Sequence, residues 1–85
     1  MPASASRLRS RAIVLRPSAI MPWHSTERRE ELLLGLAGCV RVEYGKARAR
    51  RMTLAAGQAL FLPPGTRHRV VNASARPARY VYVVA

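Results

Sequence analysis

The sequence has no aspartate, one cysteine and only four acidic residues among its 85 positions. Without aspartate a Ser-His-Asp catalytic triad cannot form. Cys39 alone cannot make a disulfide within the chain, and it excludes the cysteine spacings of zinc fingers. A lone thiol is typical of a reducing compartment, so we expect a cytoplasmic protein. No apolar run approaches the ~20 residues of a membrane-spanning helix, so we expect no membrane partner.

Basic residues, by contrast, are abundant: 15 lysines and arginines give a formal net charge of +11. Such a charge is typical of nucleic-acid-binding proteins, but here the arginines are scattered and aromatic residues make up only 6% of the chain. We interpret most arginines as solvated side chains on strand faces. A basic nucleic-acid-binding module is therefore the least favoured function, and we expect only nonspecific binding to nucleic acid at low salt.

Short apolar or alternating segments, separated by turn residues, follow one another along most of the chain. Residues 1–10 mix Pro, Ala, Ser and Arg and predict a mobile basic arm, and residues 11–85 predict one domain. Seven predicted strands lie at residues 12–16, 19–24, 30–36, 39–44, 47–54, 58–62 and 79–84. One more begins at His68. Eight short strands at close spacing predict an all-β sandwich or barrel.

One segment gives a conflicting local signal. Ser25 and Thr26 could cap a helix over residues 27–36, which begins with acidic residues and contains three leucines. Local propensity alone favours that helix, although Gly35 weakens it.

The stretch from residue 57 to residue 72 is the most informative part of the chain. Gly57, Pro63, Gly65, His68 and Asn72 follow one another with five, one, two and three residues between them. An apolar strand, a Pro-Gly pair suited to a type II turn, and a returning strand together predict a hairpin that presents one imidazole. This spacing resembles the second conserved motif of the cupin family at every position.

The first cupin motif resembles a segment upstream. In the family it reads His, one residue, His, three or four residues, Glu, six residues, Gly. His24, Glu31 and Gly38 match that pattern, whereas Thr26 takes the place of the second histidine. Because the family motif continues through Glu31 to Gly38, the resemblance favours a strand there over the helix.

The resemblance implies a fold and a site. The fold is a small all-β jelly-roll barrel of about eight short strands. Three of the family's four metal ligands carry over, namely His24, Glu31 and His68, and Thr26 replaces the fourth. Two imidazoles and one carboxylate suit a divalent ion such as manganese, iron, zinc or nickel.

Several functions remain open under this resemblance. The first is a cupin that binds a divalent metal and a small organic ligand, with an isomerase-like or oxygenase-like activity. The second is a metal-free cupin that binds a small ligand as a sensor. Without the resemblance, His24 could be an exposed loop residue and Glu31 a surface partner of Arg28. The small size of the domain also leads us to expect a homodimer with a larger buried core.

Other residues receive simpler interpretations. We expect Phe61 in the core, and Tyr80 and Tyr82 on one face of the last strand, at the pocket or at a dimer contact. Asn72 is expected to anchor a turn through hydrogen bonds. Arg41 and Arg69 could meet an anionic substrate, although solvated arginines are the simpler interpretation.

Overall fold

The computed structural model describes residues 8–48 and 50–85, which form eight β-strands and one 3₁₀ turn at Lys46–Arg48. The strands are β1 (Arg9–Leu15), β2 (Ile20–Ser25), β3 (Glu31–Ala37), β4 (Cys39–Tyr44), β5 (Arg50–Ala55), β6 (Ala59–Leu62), β7 (Arg67–Val71) and β8 (Ala78–Val84). Within the described ranges, no helix is long and apolar enough to cross a membrane. Of the expected arm, residues 1–7 lie outside the described residues, and Arg9 and Ser10 belong to β1.

The eight strands form two four-stranded antiparallel sheets. The first sheet has the order β1-β8-β3-β6, and the second has the order β2-β7-β4-β5. In the described part of the chain, β4 and β5 are the one pair of consecutive strands that are hydrogen-bonded neighbours; every other connection passes from one sheet to the other. This arrangement confirms the predicted all-β jelly roll of eight short strands.

The connection between β6 and β7 differs from the sequence-based expectation. The hairpin expected at residues 57–72 is wrong, because β6 pairs with β3, whereas β7 pairs with β2 and β4. Pro63 and Pro64 carry no N–H group and cannot continue a ladder between the two strands. Gly65 has a φ of 76°, which agrees with the type II turn predicted there. The turn therefore carries the chain from the first sheet into the second.

The helix that local propensity favours at residues 27–36 does not form. Residues 27–29 make a turn, and β3 begins at Glu31. Leu33 enters the core with 1% of its surface exposed, while its neighbours on both sides face outward. Pairing of β3 with both β6 and β8 outweighs the helix propensity of the leucines.

The core lies between the two sheets. Its buried members are Leu15, Leu33, Val40, Val42, Leu54, Leu62, Val70, Ala78 and Tyr80. The expectation that Phe61 belongs to the core is wrong, since its side chain is 54% exposed. In β6, Leu60 and Leu62 face the interior, and alternation sends Phe61 to the outer face.

Candidate metal centre

His24, Glu31 and His68 converge at one point between the sheets. His24 in β2 and His68 in β7 are register partners in the second sheet, and their ring centroids lie 4.1 Å apart. Glu31 projects from β3 of the first sheet, and its Oε2 lies 3.4 Å from Nε2 of His68. One ligand atom from each of the three residues lies within 4.8 Å of the other two. The structure thus brings together the three predicted ligands from three strands.

Backbone carbonyl groups assign the tautomers of both imidazoles. Nδ1 of His24 lies 2.8 Å from the carbonyl oxygen of Pro22, and Nδ1 of His68 lies 3.1 Å from that of Thr66. A carbonyl oxygen can only accept, so each Nδ1 carries the proton and donates it. In the neutral rings, each Nε2 then carries a lone pair available to a metal, and Nε2 of His68 faces the carboxylate of Glu31.

The environment of His68 fits a cation. His68 is fully buried, and its Nε2 has no hydrogen-bond partner among the described residues. That nitrogen faces the carboxylate of Glu31, which is itself only 7% exposed. Two electron-rich atoms that face each other in a buried site require a proton or a metal ion between them. Two imidazole nitrogens and one carboxylate oxygen match the donor set of a divalent transition metal.

Thr26, which occupies the place of the family's second histidine, has a different role. Its hydroxyl donates to the carbonyl oxygen of Pro63 at 2.8 Å and accepts from the backbone N–H of Thr66 at 2.9 Å. Thr26 is 5% exposed. Both partners belong to the turn between β6 and β7, so this hydroxyl fastens the turn rather than serving as a ligand.

Two backbone hydrogen bonds extend this attachment. The N–H of Thr26 donates to the carbonyl oxygen of Thr66 at 3.1 Å, and the N–H of Gly65 donates to that of Glu27 at 2.7 Å. The segment that follows His24 is therefore joined to the turn that precedes His68. The same Thr66 carbonyl accepts from Nδ1 of His68, so this clasp positions the imidazole of His68.

Two further motif residues are structural. Asn72 is fully buried; its Nδ2 donates to the carbonyl oxygens of Leu15 and Arg76, and its Oδ1 accepts from the N–H and hydroxyl of Ser74. This confirms its expected role as a hydrogen-bond anchor. Gly38 has a φ of 65°, and a Cβ there would lie 2.8 Å from the carbonyl oxygen of Pro77, so the position requires glycine.

A cavity of about 860 Å³ adjoins the three candidate ligands. Its apolar walls come from Ile13, Met21, Leu33, Val70, Tyr80 and Tyr82. The expected pocket position of the two tyrosines is therefore confirmed. Burial, together with the nearby charges of Glu31 and Tyr82, raises the pKa of Tyr80 to about 12, so its phenol stays neutral at physiological pH.

Arginines that sequence reasoning did not select also line this cavity. Arg11, Arg28 and Arg29 are exposed side chains at its opening. In the part of the chain that the structure describes, none of their guanidinium groups forms an ion pair. A usable signal was present, since Arg28 and Arg29 lie in the short segment between the candidate ligands His24 and Glu31.

Arg41 and Arg69 lie outside this cavity, on the outer face of the second sheet. Both pair with the carboxylate of Glu43, at 2.8 Å and 2.9 Å, and Arg69 also lies over the ring of Trp23, 5.3 Å from its centroid. The hydrogen bond from Arg41, followed by that from Arg69, lowers the pKa of Glu43 despite its burial. These arginines are therefore engaged within the protein rather than free for a substrate in the cavity.

Comparisons with known proteins agree with this geometry. The crystal structure of TT1209 from Thermus thermophilus superimposes with a TM-score of 0.86 and 32% identity, over 96% of this chain and 75% of that protein. A Cupin 2 conserved barrel domain protein from Salinispora arenicola superimposes with a TM-score of 0.83 and 23% identity, over 99% of this chain and 67% of that protein. A predicted oxalate decarboxylase from Thermotoga maritima superimposes with a TM-score of 0.80 and 19% identity, over 88% of this chain and 63% of that protein. The chain is thus shorter than these three proteins.

The sequence itself carries the family relationship. None of the curated proteins is similar enough in sequence to match. The family of the cupin domain, by contrast, matches residues 12–84, which is most of the chain and includes every candidate ligand. Together with the jelly-roll topology and the two motifs, this match shows that the chain belongs to the cupin family.

Proposed function

We propose that this cupin binds a divalent transition metal through Nε2 of His24, a carboxylate oxygen of Glu31 and Nε2 of His68. The observation that carries the proposal is the buried Nε2 of His68, which has no hydrogen-bond partner among the described residues and faces a buried carboxylate. Manganese, iron, zinc and nickel all suit two nitrogen donors and one oxygen donor.

The bound metal would supply Lewis-acid chemistry, or dioxygen chemistry if it is iron, as in an isomerase or an oxygenase. The residues of the chain contribute the geometry. The carbonyl oxygens of Pro22 and Thr66 orient the imidazoles of His24 and His68. The hydroxyl of Thr26 donates to the carbonyl of Pro63 and is not a ligand. Three protein ligands leave coordination positions for water and for an oxygen atom of a ligand.

We propose further that the ligand is a small organic acid with an apolar body. Arg11, Arg28 and Arg29 place three positive charges at the cavity opening, and among the described lining residues only Glu27 and Glu31 oppose them. The apolar walls favour a hydrocarbon or aromatic body. The volume of about 860 Å³ lies within the range typical of small-molecule sites.

The metal proposal is tested by elemental analysis of protein from metal-supplemented cultures, and by titration of the apo form with each of the four ions. We expect one equivalent in the wild type and a loss of affinity of at least about 100-fold in Glu31→Gln. Glu43→Gln is the matched control, because it alters an equally buried glutamate outside the site. Failure of the wild type to take up any of the ions would refute the metal proposal and leave the metal-free cupin.

The ligand proposal is tested by NMR titration of the apo and metal-loaded protein with hexanoate and hexanamide. The two probes share an apolar chain and differ in charge. We expect hexanoate to bind at least about tenfold more tightly, and the difference to shrink in a double Arg28→Gln, Arg29→Gln variant. A matching double variant at Arg76 and Arg79, which lie outside the cavity lining, should retain it. Equal binding of the two probes in both forms would refute the choice of an acid.

A further inference from the structure

The hydroxyl of Tyr80 forms no hydrogen bond within the part of the chain that the structure describes. The side chain is only 2% exposed, yet its oxygen is accessible from the cavity that Tyr80 lines. Buried tyrosines usually pair their hydroxyl, and a buried polar group without a partner requires an explanation. The fold therefore leaves this donor available to whatever occupies the cavity.

The strand registers place Tyr80 at the inner end of the cavity. Tyr80, Tyr82 and Val84 of β8 line the cavity; Tyr80 is buried, whereas the other two are half-buried. Val84 is the register partner of Glu31, and Tyr80 is that of Gly35, four residues farther along β3. At about 3.4 Å per residue, the backbone of Tyr80 lies roughly 14 Å along the strands from that of Glu31. The ring of Tyr80 thus enters the cavity from the end remote from this candidate ligand.

The cavity opening lies at the other end of the same strands. Arg28 and Arg29 line the opening and directly precede β3, which begins at Glu31. A ligand whose carboxylate meets these arginines extends its apolar body past Leu33 toward Tyr80. The phenol therefore contacts the part of the ligand that is remote from the carboxylate.

A purely apolar ligand body would displace water from the hydroxyl of Tyr80 without offering an acceptor in its place. Leaving a buried donor unpaired costs binding energy, so such a site discriminates strongly against ligands that lack the acceptor. Burial, followed by the negative charge of Glu31, raises the pKa of Tyr80 because both disfavour a phenolate. Both disfavour a ligand carboxylate at this position for the same reasons. The matching acceptor is therefore a neutral oxygen.

The apolar surroundings also select the type of neutral oxygen. A ligand hydroxyl would bring a further donor among apolar side chains such as Ile13, which is the register partner of Tyr80 on β1. A carbonyl oxygen only accepts, so it satisfies the phenol and leaves no donor unpaired.

We propose that Tyr80 is a specificity-determining residue of the cavity, whose hydroxyl donates a hydrogen bond to a carbonyl oxygen on the apolar body of the ligand. The ligand class is then an oxo acid whose carbonyl group is remote from its carboxylate. The choice of an acid rests on the function proposed above, whereas the choice of a carbonyl group rests on Tyr80.

NMR titration with two pairs of probes tests the proposal. The pairs are hexanoate with 5-oxohexanoate, and octanoate with 7-oxooctanoate, so that two chain lengths reach into the cavity. In the wild type, we expect the oxo acid of at least one pair to bind more tightly than its parent. In Tyr80→Phe, the ratio of the two dissociation constants should shift toward the parent acid at least about tenfold. An unchanged ratio for both pairs would overturn the proposal.

Two matched variants separate this role from a structural one. Tyr44→Phe removes a phenol that packs against the core outside the cavity lining, and it should leave the ratio unchanged. Tyr80→Phe removes a hydroxyl without a partner among the described residues, so its melting temperature near neutral pH should remain close to that of the wild type. A lower melting temperature with equal weakening of parent and oxo acid indicates a structural role and contradicts the proposal. A shift of the ratio in Tyr82→Phe but not in Tyr80→Phe would show that the donor is wrongly assigned.

The corresponding amides distinguish failure of this proposal from failure of the proposed acid. If hexanoate and hexanamide bind equally, the acid is refuted, but 5-oxohexanamide should still be preferred over hexanamide in a manner that depends on Tyr80. If charge selects the carboxylates while Tyr80→Phe leaves the ratio for both oxo acids unchanged, the acid stands and the role of Tyr80 is refuted. Binding of none of these probes would overturn both proposals.

Discussion

Replacing Thr26 with valine would test the clasp between β2 and the turn before β7. Valine keeps the shape of threonine and removes the hydroxyl, which donates to the carbonyl of Pro63 and accepts from the N–H of Thr66. The carbonyl oxygen of Pro63 would still accept one hydrogen bond, because the hydroxyl of Thr66 also donates to it at 2.7 Å. The N–H of Thr66 would lose its partner.

The expected cost follows from these contacts. A hydrogen bond contributes about 0.5–1.5 kcal/mol net, and a buried donor left unsatisfied costs about 1–3 kcal/mol. We therefore expect Thr26→Val to lower the free energy of unfolding by roughly 2–3 kcal/mol. For a domain of this size, that corresponds to a fall in melting temperature of roughly 10–20 °C. Because the carbonyl of Thr66 orients His68, metal affinity should also fall, by about tenfold.

Urea unfolding and thermal melts measure the first effect, and competition with a coloured chelator measures the second. Thr66→Val is the matched control on the same turn, since its hydroxyl makes one exposed hydrogen bond to the same carbonyl. The control should cost less than about 1 kcal/mol. If Thr26→Val destabilises the domain no more than Thr66→Val does, the clasp does not hold the turn in the way described.

Three other perturbations follow from the structure. Asn72→Ala leaves the buried carbonyl of Leu15 without its donor and should lower the free energy of unfolding by about 2–4 kcal/mol in urea titrations; a loss below about 1 kcal/mol would contradict the anchoring role. The pKa of Tyr80 is raised from 10 to about 12, so the phenol keeps its proton to a higher pH in the folded state than in the unfolded state. Wild-type stability should therefore fall between pH 10 and 12, by up to about 3 kcal/mol more than in Tyr80→Phe, and parallel pH profiles would exclude this cause. The lowered pKa of Glu43 stabilises the fold above its ordinary value of 4.5, and this contribution disappears as the pH falls through the folded pKa. Acid titration should consequently destabilise the wild type more steeply than Glu43→Gln, and equal slopes would argue against this linkage.

Resemblance to the two cupin motifs, rather than the residues taken alone, predicted much of the site. That resemblance implied His24, Glu31 and His68 as ligands, and the structure places one ligand atom of each within 4.8 Å of the other two. The arginines of the cavity opening were not identified, because 14 arginines of similar appearance are spread along the chain. The position of Arg28 between two candidate ligands was an available signal, but it is the folded cavity that shows Arg28 in its lining and Arg76 outside it.

The sequence by itself determined the local features, namely the alternating strands and the turn at Pro63–Gly65. These depend on backbone sterics and side-chain chemistry within a few residues, so they can be read locally. The tertiary structure alone decided which sheet each strand joins, and therefore that β6 and β7 separate, that Phe61 faces outward and that the hydroxyl of Thr26 is engaged by the turn. Each of those outcomes depends on strand pairing between residues far apart in sequence, whose stability comes from contacts that no local segment contains.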